Sequence, residues 1–492
     1  MIESLVAGFV GLASMQGLIL VVAGVVLGIV FGAMPGLSPS TSVALLVPFS
    51  YTLDPTLALA FLTCIYLASN YGGSITAVLI NTPGTPASAV TAIDGYALTQ
   101  RGQAAKAMGM SLWASTIGGV VGVVMLILFS RSLAQFAIRF TPADYFALAF
   151  FGLSTIASLG RGNVLKALVA TSLGLAMNTV GMDPISGVSR FTFGFDELYD
   201  GFQLVPVLIG LFAVSVVYER MAEGWSGRQF DEKGTSTFSG RLEVWKAKLV
   251  LAMSSVLGTV VGVFPGAGST IASFLSYDFA KKLSKTPEKF GSGSLEGIAA
   301  SESANSASVG GALVPLLALG IPGSATDAVL LGAFMLHNLN PGPQLFSERP
   351  DLVYGIFAAL LLANLMVFIL GSLAMPLFRK VVLISESLMT PMILMLAIVG
   401  SYAVNASIFD VGLCLSFGLL GWVLKRFSYP IAPIVLGLVL GKMMEENLRR
   451  ALLMNGFESF WSSPLSLVFI ALSLTSFLYP IGQRLKNRKT SI

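Results

Sequence analysis

The sequence predicts an all-α polytopic membrane protein with two inverted structural repeats, broken helices or re-entrant hairpins, and roughly 11–14 membrane-embedded segments of about 20 residues each. Three observations carry this expectation. The 492 residues are 55% hydrophobic and only 11% charged, with a mean hydropathy of +0.82. A soluble domain carries about twice that charged fraction. A phrase with helix-breaking residues, Gly-x3-Gly-x2-Pro-Gly, occurs twice in apolar surroundings. Finally, the positive charge of matching loops alternates between the two halves.

From the amino terminus, the apolar stretch Leu5–Met34 has no basic start and is too long for a cleaved leader, so it reads as a membrane helix. The repeated phrase reads VLGIVFGAMPG at Val26–Gly36 and VLGTVVGVFPG at Val256–Gly266. A second pair of signals follows each copy. Gly72-Gly73 precedes Pro83-Gly84 in the first half, and Gly310-Gly311 precedes Pro322-Gly323 in the second. Proline stops a helix and glycine permits the turn, so Pro35, Gly36, Pro83, Gly84, Pro265, Gly266, Pro322 and Gly323 are predicted helix breaks. The glycine pairs read instead as close contacts between helices.

The longest polar interval, 219–248, holds Arg220, Arg228, Lys233, Arg241, Lys246 and Lys248, and the tail 483–492 is also basic. Both are expected in the cytoplasm. The chain thus divides into a first half (1–218), a linker (219–248), a second half (249–482) and a tail (483–492). Lys281–Lys289 carries four lysines, whereas the matching Tyr51–Leu59 has none. Arg101 and Lys106 have no counterpart in Ala333–Leu345. This alternation predicts inversion of one half relative to the other, with the amino terminus outside. Between Lys248 and Lys281 lie residues 249–280, too few for two full spans, so a hairpin broken at Pro265-Gly266 is expected to turn back inside the membrane.

Hydroxyl and small residues follow every break. Candidate substrate-binding residues are Ser38, Ser40, Thr41 and Ser42 after the first, and Gly84 and Thr85 after the second. Ser269 and Thr270 follow the third, and Gly323, Ser324 and Thr326 the fourth. Asn70 and Asn81 are added as amides able to bond substrate or broken backbone. A half-helix starting inside the membrane presents unpaired N–H groups and a positive dipole end, which hold anions such as carboxylates. Acidic residues in apolar sequence are candidates for ion coupling: Glu302, Asp327 and Asp94, with Asn305 beside them. Asp94 reads equally well as a cap or a loop partner.

Other chemistries find little support. Cys64 and Cys414 lie in apolar segments and suggest neither a disulfide nor a metal site. A single histidine, His337, leaves little for histidine catalysis, and no Gly-x4-Gly-Lys-Ser/Thr phosphate loop is present. The net charge of +4 reflects basic loops, not a nucleic-acid surface. No cofactor is expected beyond bound Na⁺.

The segments GAMPGLSPSTSVALLVPFS, YGGSITAVLINTPGTPASAVTAIDGYAL, GVFPGAGSTIASFLSYDFAKK and SESANSASVGGALVPLLALGIPGSATDAVLLGA occur in this order. The sequence resembles, from about Gly24 to about Gly441, the large membrane subunit of tripartite tricarboxylate transporters. The resemblance implies a multi-pass permease of the bacterial inner membrane, driven by a Na⁺ or H⁺ gradient without an ATPase. It implies a small membrane subunit and a periplasmic solute-binding protein as partners, and a tricarboxylate, dicarboxylate or related organic acid as substrate. Two other readings stay open: a self-sufficient ion-coupled carboxylate carrier, and, more remotely, an intramembrane enzyme.

Overall fold

The computed structural model describes residues 2–34, 37–159, 164–183, 186–223, 241–266, 268–375 and 386–489. Pro35 and Gly36 of the first predicted break, most of the linker (224–240) and the end of the tail (490–492) lie outside the described residues.

The chain begins with α1 (Ile2–Leu12) and α2 (Met15–Gly32), the latter capped by the Ser14 hydroxyl. Beyond the first break come α3 (Pro39–Ser50) and α4 (Pro55–Ile80), and beyond the second α5 (Ser88–Gln100) and α6 (Ala104–Ala137). Next are α7 (Pro142–Leu159), α8 (Val164–Asn178) and a small antiparallel hairpin, β1 (Gly181–Met182) with β2 (Ser189–Arg190). Helices α9 (Leu204–Ile209) and α10 (Ser215–Glu223) are joined by a π-helical turn at Gly210–Val214.

After α11 (Arg241–Lys246) the opening succession recurs. Helices α12 (Lys248–Val263) and α13 (Gly268–Leu283) flank one break, and α14 (Leu295–Leu319) and α15 (Ala325–Leu336) flank the other. A short α16 (Leu345–Glu348) precedes the long α17 (Pro350–Leu373). The remainder comprises α18 (Glu386–Asn405), α19 (Ile408–Arg426), α20 (Ala432–Asn455), α21 (Glu458–Ser462) and α22 (Pro464–Lys489).

Among the described residues, 6 helical segments are long and apolar enough to cross a membrane: 15–32, 55–80, 104–137, 204–222, 350–373 and 408–426. Shorter apolar helices accompany them, including Lys248–Val263 and Ala325–Leu336. The molecule is therefore an all-α polytopic membrane protein. Helices α12 and α13 have 16 residues each, or about 24 Å at 1.5 Å per residue. That falls short of the roughly 30 Å hydrocarbon core, as the length of 249–280 predicts.

Local sequence explains where the helices start and stop. Ser38, Asp54, Ser294 and Ser324 each accept a backbone N–H from the first turn of the helix they precede. Pro39, Pro55 and Pro350 occupy the opening turn, where a missing N–H costs nothing. Helix α4 ends at Asn81 and α14 at Gly320, both in left-handed conformation at φ 53° and 70°.

The two glycines of the repeated phrase make close helix contacts. A Cβ on Gly28 or Gly32 of α2 would lie 2.7 Å from the Ile65 carbonyl oxygen or 2.3 Å from that of Ser69, both on α4. In the second half, Gly258 and Gly262 of α12 approach the Ala304 and Ser308 carbonyls of α14 at 2.4 and 2.5 Å on the same measure. Small residues matter here because lipid tails are as apolar as leucine, so contact rather than water exclusion holds membrane helices together. Gly72, Gly310 and Gly311 also sit against neighbouring backbone, within unbroken α4 and α14.

The halves interleave. Helix α14 is packed on one side by α12 and on the other by α6 of the first half, through Gly118 and Gly122. Helix α4 lies correspondingly against α2 and against α17 of the second half, where the Cys64 thiol meets the Ala359 carbonyl at 3.7 Å.

Candidate functional site

Half-helices pair across the two halves. Helices α3 and α15 have 12 residues each and pack together. At their carboxyl ends the Ser50 hydroxyl lies 3.4 Å from His337 Nε2. Helices α5 and α13 likewise touch, with the Tyr277 hydroxyl donating to Asp94 at 2.8 Å.

The breaks are tied to one another by backbone. The Gly266 N–H donates to the Gly323 carbonyl at 2.9 Å, and a Cβ on Gly268 would fall 3.8 Å from that of Ser324. Gly84 donates to the Gly73 carbonyl at 3.1 Å and approaches Gly32 so closely that a Cβ would lie 2.2 Å from its oxygen. The structure thus joins the breaks at 83–84, 265–266 and 322–323 to the helices beside them.

At the start of α3, the Ser38 hydroxyl lies 2.7 Å from that of Ser40 and 2.9 Å from that of Thr41. Ser42 donates back to the Ser38 carbonyl at 3.0 Å, and Thr41 donates to the Phe212 carbonyl at 3.1 Å. Phe212 lies in the π-helical turn, whose altered ladder frees a carbonyl for such a side chain. At the start of α5, Thr85 and Ser88 cap one another reciprocally, each hydroxyl accepting the other's N–H at 3.2 Å. Ser269 and Thr270 are half-buried on the first turn of α13.

At the start of α15, Ser324 donates to Asp327 Oδ2 at 2.6 Å and accepts the Asp327 N–H at 3.3 Å. The Tyr66 hydroxyl of α4 lies 3.2 Å from Ser324 Oγ. Asp327 is fully buried, and its Oδ1 has no hydrogen-bond partner. Thr326 is buried beside it.

Glu302 has a different setting. It is fully buried on α14, where Thr91 of α5 donates to Oε1 and Ser115 of α6 donates to Oε2 at 2.9 Å. Three helices from both halves therefore meet on one carboxylate. Asn305, one turn further, donates to the Asn70 carbonyl at 3.4 Å, while its Oδ1 is buried without a partner. The Asn70 amide in turn donates to the Tyr66 carbonyl at 3.0 Å.

Asp94 and Asn81 stand apart from this cluster. Asp94 Oδ1 accepts the N–H groups of Gly291, Gly293 and Ser294 at 2.9, 2.8 and 2.9 Å, and Oδ2 accepts the Tyr277 hydroxyl. Its carboxylate binds α5 to the loop before α14. Asn81 is exposed and terminates α4.

Sequence reasoning did not single out Tyr66, Thr91, Ser115 or the Phe212 carbonyl. Thr91 lies one helical turn beyond Ser88, and Ser115 one turn before Gly118, on the small-residue face that meets α14. Nor did it foresee a cavity of about 600 Å³ at the far ends of α3 and α15. None of the residues chosen from the sequence lines it.

This arrangement of broken helices and buried hydroxyls accompanies a match of residues 18–436 to the model of the tripartite tricarboxylate transporter TctA family. The chain belongs to the TctA family. It is similar, at 35% identity over 494 residues, to an Agrobacterium vitis protein described as an uncharacterized 52.8 kDa protein in the TAR-I ttuC' 3' region. That alignment covers 100% of this chain and 98% of the relative. A second A. vitis protein, described as an uncharacterized protein in the TAR-II ttuC' 3' region, is 36% identical over 237 residues, or 48% of this chain and 98% of its own. No solved structure matches. Membership of TctA makes the chain a permease component of a tricarboxylate transporter, multi-pass in the membrane, and points to transport rather than to an enzyme. A tripartite system implies partner subunits, namely a small membrane protein and a periplasmic binding protein.

Proposed function

We propose that this TctA permease imports an organic carboxylate across the bacterial inner membrane as a symporter, in two inverted halves, drawing on a Na⁺ or H⁺ gradient and receiving its substrate from the periplasmic binding protein. The hydroxyl-bearing half-helix starts at Ser38–Ser42, Thr85, Ser269–Thr270 and Ser324–Thr326 hold the carboxylates. Neutral donors and helix dipoles suit a carrier, because they bind an anion without a permanent cationic clamp that slows release. One part of the molecule then moves against the other around this site.

The observation that carries the reading is Asp327. Its Oδ1 is buried without a partner at the start of a half-helix, beside Ser324 and Tyr66. A carboxylate oxygen left unpaired in such a place is strongly unfavourable until a cation or proton reaches it. Asp327 is therefore assigned the coupling ion. Glu302, with hydroxyls on both oxygens, is assigned a fixed role in joining α5, α6 and α14, and Asp94 a structural one.

The test is uptake of radiolabelled citrate, succinate and benzoate into liposomes carrying the permease and its small subunit, with and without binding protein, under separate Na⁺ and pH gradients. Uptake of one acid that needs both a gradient and the binding protein is expected. The joint variant Ser40→Ala, Thr270→Ala, Ser324→Ala should raise the apparent KM. An unchanged KM overturns the site, and uptake without the binding protein favours a self-sufficient carrier.

A further inference from the structure

The cavity of about 600 Å³ lies where α3 and α15 end, bounded by Tyr51, Met335 and Leu336 from these helices and by α8, α9 and α20. Its size is that of a small-molecule site. The side-chain amides of Asn178, Gln203 and Asn338 line it, and none is hydrogen-bonded among the described residues.

The charges that line it or stand beside it divide into a closed set and an open one. Arg190 reaches Glu445 at 2.7 Å and Asp183 at 3.3 Å, while Arg449 reaches Asp183 at 2.8 Å and Glu445 at 2.9 Å. Two cations and two carboxylates thus compensate one another and tie the β1–β2 hairpin to α20. Lys442, one turn from Glu445, forms no ion pair or hydrogen bond among the described residues. Asp200 is the other lining charge without a partner among the described residues, and both are exposed.

We propose that this cavity is a second, outer carboxylate site, in which Lys442 and the three free amides hold the anion before it reaches the broken-helix site. This rests on the carboxylate reading above. An ammonium and amide N–H groups are the donors a carboxylate needs. The N–H groups of Tyr51, His337 and Asn338 close onto the Pro48, Ala333 and Met335 carbonyls, which covers part of the negative helix ends that Lys442 must outweigh. Helices α3 and α15 connect the two sites, each about 18 Å long for its 12 residues. The negative charge of Asp200, which lines the same cavity, weakens the hold on an anion and keeps retention short, as a site of passage requires.

The experiment measures gradient-driven uptake by the complete transporter, using whichever of citrate, succinate and benzoate it carries best. Lys442→Gln should raise the apparent KM about fivefold at unchanged maximal rate, with Lys442→Arg restoring most of it. Asp200→Asn should lower the KM. The Lys442→Gln effect should shrink as ionic strength rises, because the site is exposed. An unchanged KM in Lys442→Gln overturns the outer site, as does a fall in maximal rate that Lys442→Arg fails to rescue. The Ser40, Thr270, Ser324 variant, measured in parallel, separates the two readings. If it impairs uptake while Lys442→Gln does not, only the outer site falls. If it has no effect either, the inner site falls as well.

Discussion

Replacing Gly262 by alanine tests the packing that carries the second hairpin. Its Cβ would lie 2.5 Å from the Ser308 carbonyl oxygen and 3.0 Å from the Ser308 Cα. Ordinary contact at such a position begins near 3.4 Å, so α12 and α14 must part by about 0.9 Å. A gap of that size forfeits a quarter to a half of each dispersion contact it opens. The obstructing atoms are backbone and cannot rotate away, so the loss should be about 1–3 kcal/mol, the range for overpacked interiors. The separation also pulls on Gly266, whose N–H holds the Gly323 carbonyl. Thermal unfolding in detergent, followed by tryptophan fluorescence, is the assay, with Gly412→Ala as control because a Cβ there meets nothing within 4 Å. The control should match or slightly exceed the wild type, since alanine favours a helix. A Gly262→Ala protein as stable as Gly412→Ala would refute the packing argument.

Three further outcomes are expected. Asp94→Asn should destabilise the protein by about 2 kcal/mol through weakened bonds from the 291–294 backbone, with uptake per folded molecule retained; lost uptake at unchanged stability would contradict this. Asp327→Asn should abolish gradient-driven accumulation yet leave exchange of bound carboxylate across the membrane, so accumulation at the wild-type level would remove Asp327 from coupling. Burial holds the His337 imidazole below the ordinary histidine value of about 6.5, against the opposing charge of Asp54. The unfolded chain therefore takes up a proton before the folded one, and stability is lost as pH falls below about 6.5. His337→Gln should flatten that acid loss and leave pH-gradient-driven uptake intact, which thermal melts from pH 7.5 to 5.5 and paired uptake assays would check.

The helix breaks at 83–84, 265–266 and 322–323 were legible because proline and glycine act locally, whereas Ser38 and Ser324, read from the sequence as substrate-binding candidates, also cap the helices that follow them. The contacts of the glycine pairs at 72–73 and 310–311 were legible in kind but not in partner, and those of Gly28, Gly32, Gly258 and Gly262 were not read from the sequence. The polar cluster was only half visible. Glu302 stood out as an acid among serines, but its donors Thr91 and Ser115 lie 211 and 187 residues away. Asp94 is satisfied by backbone N–H groups about 200 positions further on, and every residue carries such a donor, so no side-chain pattern announces it. The unpaired oxygen of Asp327 depends on what the surrounding helices fail to supply, and a linear chain does not record that.

The interleaving of the halves has a consequence for how the protein is made. Helix α6 enters the membrane long before α14 leaves the ribosome, since 187 residues separate Ser115 from Glu302. At about 5–20 residues per second, that interval lasts roughly 10–40 s. Throughout it, Ser115 and the glycine face of α6 have no native partner, and the same holds for Thr91. The amino-terminal half is thus a waiting assembly, completed only by the arrival of α14. A chain truncated after residue 248 should be recognised as unfinished and degraded, and supplying residues 249–492 as a separate polypeptide should rescue it.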